Sequence, residues 1–279
     1  MSLLFLLPPA LGRAKAEARA ELIRNALEQK LGESVRTHVA ANYADIEERT
    51  AAGEAHIVWA PAGVTAKLPS ARVVLTIVRE GQTSYRSSIV ARKSAGLSLA
   101  GLVGTKAAWV DPLSAGGYLL AIAKLRAEGF DLAKTFTSQH FLGSHRAATE
   151  AVLHETADIT AVSSHKTDPA SMAEKLRWYA GPAGDKLTPI AFTESCLNDA
   201  LVLPASLSEA KAISLAQRLI PTTQSEIARS RLLSALEADG LVQTPLEEYH
   251  RLAPLLTPPS AEDRITLVPP SRSSRPSWH

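Results

Sequence analysis

Leu3-Leu4-Phe5-Leu6-Leu7-Pro8-Pro9 opens the stretch on which the fold turns. Five apolar residues stopped by two prolines read as a buried strand running into a loop. Ala14–Leu31 follows with apolar residues at helical spacing (Ala18, Leu22, Ile23, Ala26, Leu27, Leu31), charges between them, and Gly32 as a stop. Val35–Ala40 reads as a second strand, and Tyr43–Ala52 as a short helix ended by Gly53. His56–Ala60 reads as a third strand ended by Pro61. Strand, helix, strand, helix, strand predicts an α/β fold with a mostly parallel sheet and helices on its faces.

Working outward, Arg72–Arg79 and Ser84–Arg92 read as extended segments around Glu80-Gly81-Gln82. Thr105–Val110 reads as another strand, followed by a helix over Tyr118–Glu128. Ser144 is an N-cap for a helix through His154. Asp158–Val162, Leu187–Phe192 and Asp199–Leu203 read as extended. Ser206–Leu219, Glu226–Ala238 and Leu246–Leu255 carry helical patterns. Two crossover points stand out, near Val78–Tyr85 and near Gly181–Pro189. A chain that leaves one lobe at the first and returns at the second makes two lobes with a cleft between them. The division expected is a first lobe from 1–82 plus 187–257, a second from 83–186, and a Pro/Ser-rich tail over 258–279 with little structure of its own.

Composition narrows the function. The chain has 279 residues, 30 basic against 28 acidic. That balance argues against affinity resting on a broad basic surface, so no nucleic-acid partner is expected. Cys196 is the single cysteine, which excludes an intramolecular disulfide and a Cys-rich zinc site. No apolar run approaches the ~20 residues of a membrane span, and Leu3–Leu7 lacks the flanks of a signal peptide. As written, the chain is expected to be cytoplasmic, or periplasmic if a leader has been removed from it.

The chemistry concentrates in Trp109-Val110-Asp111-Pro112-Leu113-Ser114-Ala115-Gly116-Gly117-Tyr118. A strand enters a turn of small residues and then a helix. Such a turn is either a capped strand–helix junction or an anion site, because open N–H groups and the helix dipole favour negative charge. Phe141-Leu142-Gly143-Ser144-His145 makes a second helix start, where His145 is placed to donate to an anion. Tyr43, Trp59 and Tyr85 fall at strand–helix junctions or strand edges, as core packing or as cleft walls with polar tips.

Other signals are weaker. Ser163-Ser164-His165-Lys166 contains S-x-x-K, but without the S-D-N and K-T-G that accompany it in penicillin-binding enzymes. Gly101–Lys106 is too short between its glycines for a Walker A loop. His140 and His145, five apart, do not share a helical face. Asp45, Glu47 and Glu48 read as a solvated helix face. No metal site and no cofactor are expected.

Several stretches together resemble the phosphate/phosphite/phosphonate substrate-binding proteins of ABC transporters. They are Asn42–Asp45 with Gly53–Trp59, Tyr85–Val90, Leu99–Lys106, Asp111–Gly117, Phe141–His145 with Ala147–Val152, Ala157–Val162, and Glu248–Leu252, in that family's order. Asp111–Gly117 is similar to the family's D-P-x-S-T-S-G turn, and Gly143-Ser144-His145 to its G-S-H. The resemblance implies the type II periplasmic-binding-protein fold: two lobes, each a mixed sheet flanked by helices, with two crossover strands and a ligand in the cleft.

It also implies ligand contacts from Tyr43, Tyr85, Ser114, the amides of Ala115 and Gly116, and His145. Trp59 is taken as a further cleft wall. Ser163, Ser164 and Glu194 are looser candidates. The family's Thr and second Ser are Ala115 and Gly116 here, which removes two hydroxyl donors and implies weaker or altered anion binding. His56 stands where Asp is usual.

The function expected is capture of a small oxyanion by lobe closure, for ABC transport or ligand sensing, with a permease or a signalling protein as partner. The alternatives are a cytoplasmic enzyme on the same fold, for which His145 with Glu194 is the one combination to test, and a degenerate binding scaffold kept for protein–protein contact.

Overall fold

The computed structural model describes residues 2–9 and 12–256, and the backbone of 265–267. The first part runs β1 (Leu3–Leu7), α1 (Arg13–Leu31), β2 (Val35–Val39), α2 (Tyr43–Ala51), β3 (Ile57–Ala60), α3 (Ala62–Lys67) and β4 (Ala71–Val78). The middle runs β5 (Ser84–Arg92), β6 (Thr105–Trp109), a π-helical turn over Ala115–Leu119 that continues as α4 (Leu120–Ala127), α5 (Leu132–Thr135), β7 (Phe136–Phe141), α6 (His145–Leu153), β8 (Ile159–Ser164), α7 (Pro169–Ala180) and β9 (Leu187–Leu197). The remainder is β10 (Ala200–Pro204), α8 (Glu209–Leu219), α9 (Gln224–Arg229), α10 (Arg231–Leu236), β11 (Gly240–Gln243), α11 (Leu246–His250) and β12 (Ile265–Leu267).

Two six-stranded mixed sheets result. The first has the order β11-β4-β10-β3-β1-β2, the second β12-β7-β6-β8-β5-β9. In the first, β1 lies parallel between β2 and β3, while β10 runs antiparallel to β3 and β4. In the second, β6 lies parallel between β7 and β8, while β5 runs antiparallel to β8 and β9. The near-continuous apolar strands are buried on both faces, as helix-covered sheets require. Leu7, Ile57 and Leu75 face one core of the first sheet with Ile23 and Leu27 of α1; Leu6, Val58 and Val74 face the other.

The chain passes between the sheets at Arg79–Thr83 and returns at Asn198–Asp199. The expected return near Gly181–Pro189 is therefore displaced, and Leu187–Leu197 belongs to the second sheet rather than the first lobe. The physical reason is local. The Gly/Pro run forms a 3-10 turn folded back on α7, where a Cβ on Gly184 would lie 2.4 Å from the Leu176 carbonyl carbon. These residues serve close packing, not a linker.

Two further expectations are corrected. The helix read over Glu226–Ala238 is α9 and α10, broken at Ser230, whose side chain caps the second by accepting from the Leu233 N–H at 3.2 Å. Within the segment read as an unstructured tail, Ile265–Leu267 pairs parallel to the β7 edge. The rest of that segment lies outside the described residues. Among the described residues, no helix is long and apolar enough to cross a membrane.

Candidate functional site

Ligands of doubly wound sheets gather at the carboxyl ends of parallel strands, where helix N-termini converge. That place is occupied here by a cavity of about 150 Å³ between the two sheets. The ends of β1 (Leu7) and β3 (Trp59) reach it from the first sheet, and the end of β8 (Ser163) from the second. Four helix starts also reach it: Tyr43 of α2, Ala62 of α3, Ala115-Gly116 of the π-helical turn, and His145 of α6. Each N–H in a first helical turn lacks an intrahelical acceptor, so these ends present donors and positive potential.

Local capping sets three of these ends. Asn42 Oδ1 accepts from the Asp45 N–H at 2.9 Å, Ser144 Oγ from Ala147 at 3.2 Å, and Ser114 Oγ from Gly117 at 3.1 Å. The Ser114 hydroxyl thereby spends an acceptor lone pair on its own turn, and on its other side it interacts with the Tyr43 hydroxyl. The turn is fixed from outside as well. Ser87 Oγ donates to the Gly116 carbonyl at 2.6 Å, and Asp111 accepts from the N–H of Leu113 at 2.8 Å and of Tyr43 at 3.3 Å. The last bond ties α2 on the first sheet to the turn on the second.

Of the residues expected at the site, Tyr43, Trp59, Tyr85, Ser114, Ala115, Gly116, His145 and Ser163 all line this cavity. Burial pushes the hydroxyls of Tyr43 and Tyr85 well above the usual tyrosine range. Both stay protonated donors at any working pH. His145 is only 8% exposed and stacks on Tyr179 with ring centroids 4.8 Å apart. Its Nδ1 is buried with no hydrogen-bond partner among the described residues. Burial, with the positive charge of Lys175 second, lowers its pKa to about 4, so the ring is neutral near pH 7.

Two expected residues lie elsewhere. Glu194 is exposed on β9 and lines a separate cavity beside Ser195, Cys196 and Tyr249. Past Phe192 the pairing of β9 with β5 is irregular, and Glu194 lines this second cavity while His145 lines the first, so the pair considered for an enzyme is not assembled. Ser164 Oγ donates to the Lys166 carbonyl and stands off the cavity. The Ser163-x-x-Lys166 spacing is likewise not a catalytic pair. Ser163 Oγ is hydrogen bonded to the Tyr179 hydroxyl at 2.5 Å, while Lys166 Nζ lies 3.4 Å from Glu80.

The small residues at 115 and 116 have a reason beyond missing hydroxyls. A Cβ on Gly116 would stand 2.9 Å from Tyr85 Cε2 and 3.0 Å from Ser163 Cβ. The ring of Tyr85 occupies the space that a serine side chain at 116 would need. Glycine here lets an aromatic wall approach the turn.

Sequence reasoning missed a charged set. Arg79 on the outgoing crossing forms a two-pronged ion pair with Asp199 on the return, and Trp59 Nε1 also donates to Asp199. The Arg79 charge holds the Asp199 carboxyl below its usual range despite burial. Arg19 of α1 pairs with Glu237, and Arg19 and Arg79 both lie against the Trp59 ring, at 5.7 and 6.0 Å from its centroid. Lys175, Trp178 and Tyr179 share one face of α7, a helix the sequence reading did not include. One signal existed: Trp178 and Tyr179 are adjacent in a chain with few aromatics. Among the described residues, no group of three His, Cys, Asp or Glu side chains is placed to hold a metal ion.

The sequence matches over residues 5–249 the family model described as the periplasmic substrate-binding protein of phosphonate ABC transporters. No curated protein matches it. Among solved structures, it is similar to the binding-protein component of an ABC phosphonate transporter from Pseudomonas aeruginosa (TM-score 0.75, 17% identity, 91% of this chain and 85% of that one). PhnD1 from Prochlorococcus marinus, in complex with methylphosphonate, is equally similar (TM-score 0.76, 16% identity, 91% and 96%). XAC2383 from Xanthomonas citri, bound to ATP, follows (TM-score 0.68, 16% identity, 92% and 96%). These likenesses agree with the two-sheet architecture, and the family match spans both sheets. By its sequence and its fold, the chain belongs to the family of periplasmic substrate-binding proteins of phosphonate ABC transporters.

Proposed function

We propose that this protein captures a small tetrahedral oxyanion of the phosphonate or phosphate class in the cleft between its sheets and delivers it to an ABC permease in the periplasm. The observation that carries this reading is the convergence on one cavity of the Ser114-Ala115-Gly116 turn with the buried, unpartnered Nδ1 of His145. The turn offers backbone amides and a hydroxyl. Tyr43 and Tyr85 offer hydroxyls that burial keeps protonated. The neutral imidazole of His145 has one N–H, which the Ala161 backbone also attracts, so it donates to an anion only in the tautomer that carries the proton on Nδ1. The cavity is of the size that admits a benzene-sized molecule.

Such a site needs no covalent chemistry. The oxyanion exchanges water for fixed donors, and helix dipoles offset its charge in a low-dielectric cleft. Two connections between the lobes, hydrogen bonded to each other, suit hinge closure on the ligand. The family's own description supports the transport partner and the compartment.

Thermal-shift titration of ligand-free protein with phosphate, phosphite, methylphosphonate and sulfate tests the reading. A ligand at about 100 times its Kd stabilises the native state by roughly 2.7 kcal/mol, a shift of a few degrees for a chain of this size. A selective shift with a phosphorus oxyanion is expected. No shift with any of them would reject the reading.

A further inference from the structure

The charges around the cavity are unevenly committed. Lys15, Arg19, Arg79 and Lys175 line it, against two carboxylates, Asp199 and Glu237. Both carboxylates are already engaged: Asp199 by Arg79 and Trp59, Glu237 by Arg19. Asp199 has both oxygens engaged, by the Arg79 guanidinium and the Trp59 indole N–H, while Glu237 is paired with Arg19 through one oxygen. Glu237 is further constrained, since its backbone sits in the left-handed region at φ 51° as the C-cap of α10.

Lys175 is in the opposite condition. Its Nζ lies over the rings of Trp178 and Tyr179, 4.8 and 5.6 Å from their centroids. Among the described residues, no carboxylate stands within ion-pair distance of it. It is half-buried and faces the same space as His145 and His165, both of which feel its charge. The α7 face thus brings a cation to the cavity, held by aromatic rings that supply no neutralising charge. Its ammonium retains its three donors for whatever enters.

From this arrangement we infer that the cleft selects a fully anionic ligand, a phosphonate or phosphate bearing a second acid group that Lys175 receives, and discriminates against zwitterionic aminophosphonates. The inference rests on the oxyanion reading above and deepens it. The Ser114 turn and His145 would take the phosphoryl group, and Lys175 the distal acid. An ammonium in the distal position would face Lys175 as a like charge, with both lining carboxylates already paired to a guanidinium.

Three ligands that share a phosphonate test this by isothermal titration: methylphosphonate, phosphonoacetate and 2-aminoethylphosphonate. Phosphonoacetate is expected to bind about tenfold more tightly than 2-aminoethylphosphonate, as one added attraction against one repulsion in a partly screened site implies. Lys175→Met keeps the stem that packs on Trp178 and Tyr179 and removes the charge. It should abolish most of that difference. Equal or tighter binding of 2-aminoethylphosphonate by the unaltered protein would overturn the inference, as would a Lys175→Met loss that is the same for all three ligands. Methylphosphonate binding with no preference for phosphonoacetate sinks this inference alone. Failure of all three, and of phosphate, sinks the oxyanion reading and this inference with it.

Discussion

Replacing Gly116 with serine, the residue the family carries at that point, is expected to harm this protein rather than restore a donor. The new Cβ would stand 2.9 Å from Tyr85 Cε2, where ordinary contacts begin near 3.4 Å, and 3.0 Å from Ser163 Cβ. Relief by moving the turn is resisted, because the Gly116 carbonyl accepts from Ser87 Oγ at 2.6 Å. Relief by moving the Tyr85 backbone is resisted too, since β5 is paired on both sides and Tyr85 is in register with Cys196 of β9. What remains is a swing of the Tyr85 ring away from the cavity.

Overpacking of this kind costs about 1–3 kcal/mol. Urea denaturation should show that loss, and titration should show weaker ligand binding. The decisive comparison is a double-mutant cycle with Tyr85→Ala. With the ring gone, the stability cost of Gly116→Ser should shrink by about 1 kcal/mol or more, without vanishing, because the Ser163 contact persists. Equal costs in the two backgrounds would refute the reasoning. So would a Gly116→Ser protein of unchanged stability that binds more tightly.

Substituting His145 by Ala removes a buried imidazole from the cavity wall and should weaken oxyanion binding by about tenfold or more if its Nδ1 donates to the ligand, the range for a hydrogen bond to a charged group, read by titration. Because burial lowers the His145 pKa from 6.5 to about 4, the unfolded chain binds the proton more readily. The stability tied to neutral His145 is complete above about pH 6.5 and is lost as pH falls from there towards 4, by up to about 3 kcal/mol. A stability profile without that decline, or one unchanged by His145→Gln, would contradict it. Asp199→Asn leaves Arg79 without its counter-charge in a partly buried site and should cost about 2 kcal/mol in urea denaturation. Gly63→Ala places a Cβ 2.1 Å from the Leu113 carbonyl oxygen. Moving that rigid backbone should lower the melting temperature by several degrees and displace the Ser114 turn enough to weaken ligand binding.

The elements that were legible are those whose cause is local. Leu3–Leu7, the helical stretch to Leu31 and the Ser144 cap depend on neighbours within a few residues, and the structure forms each of them. The cleft residues on those elements followed, because a strand end or a helix start fixes where its side chain points. Gly184 shows the opposite case. As a sequence it reads like any loop glycine, and only the Leu176 backbone against it explains it. Gly116 is subtler: compared with the family pattern it is a lost hydroxyl, and in the fold it is room for Tyr85. Glu194 fell outside because one register position on β9 decides which face it takes, and register is set by β5, about 100 residues away in sequence.

The Arg79–Asp199 pair explains why the hinge was the least legible part. Its partners lie 120 positions apart, one on each crossing strand, and neither belongs to a local motif. Around them, Asn198 is fully buried and its side-chain amide donates to the carbonyls of Ile77 at 2.7 Å and Gln82 at 2.9 Å. Its own carbonyl accepts from the Tyr249 hydroxyl at 2.7 Å. That bond accounts for Tyr249, a fully buried side chain at the end of the family match, whose phenol reaches the crossing through the core of the first sheet. Buried polar groups so satisfied hold one geometry, because breaking any of them leaves an unpaired donor or acceptor in the interior. The same Asp199 that completes this network receives the Trp59 indole from the cleft wall. Trp59 lines the cavity and is therefore joined directly to the ion pair spanning both crossings, so the charge network at the crossings is also one wall of that cavity.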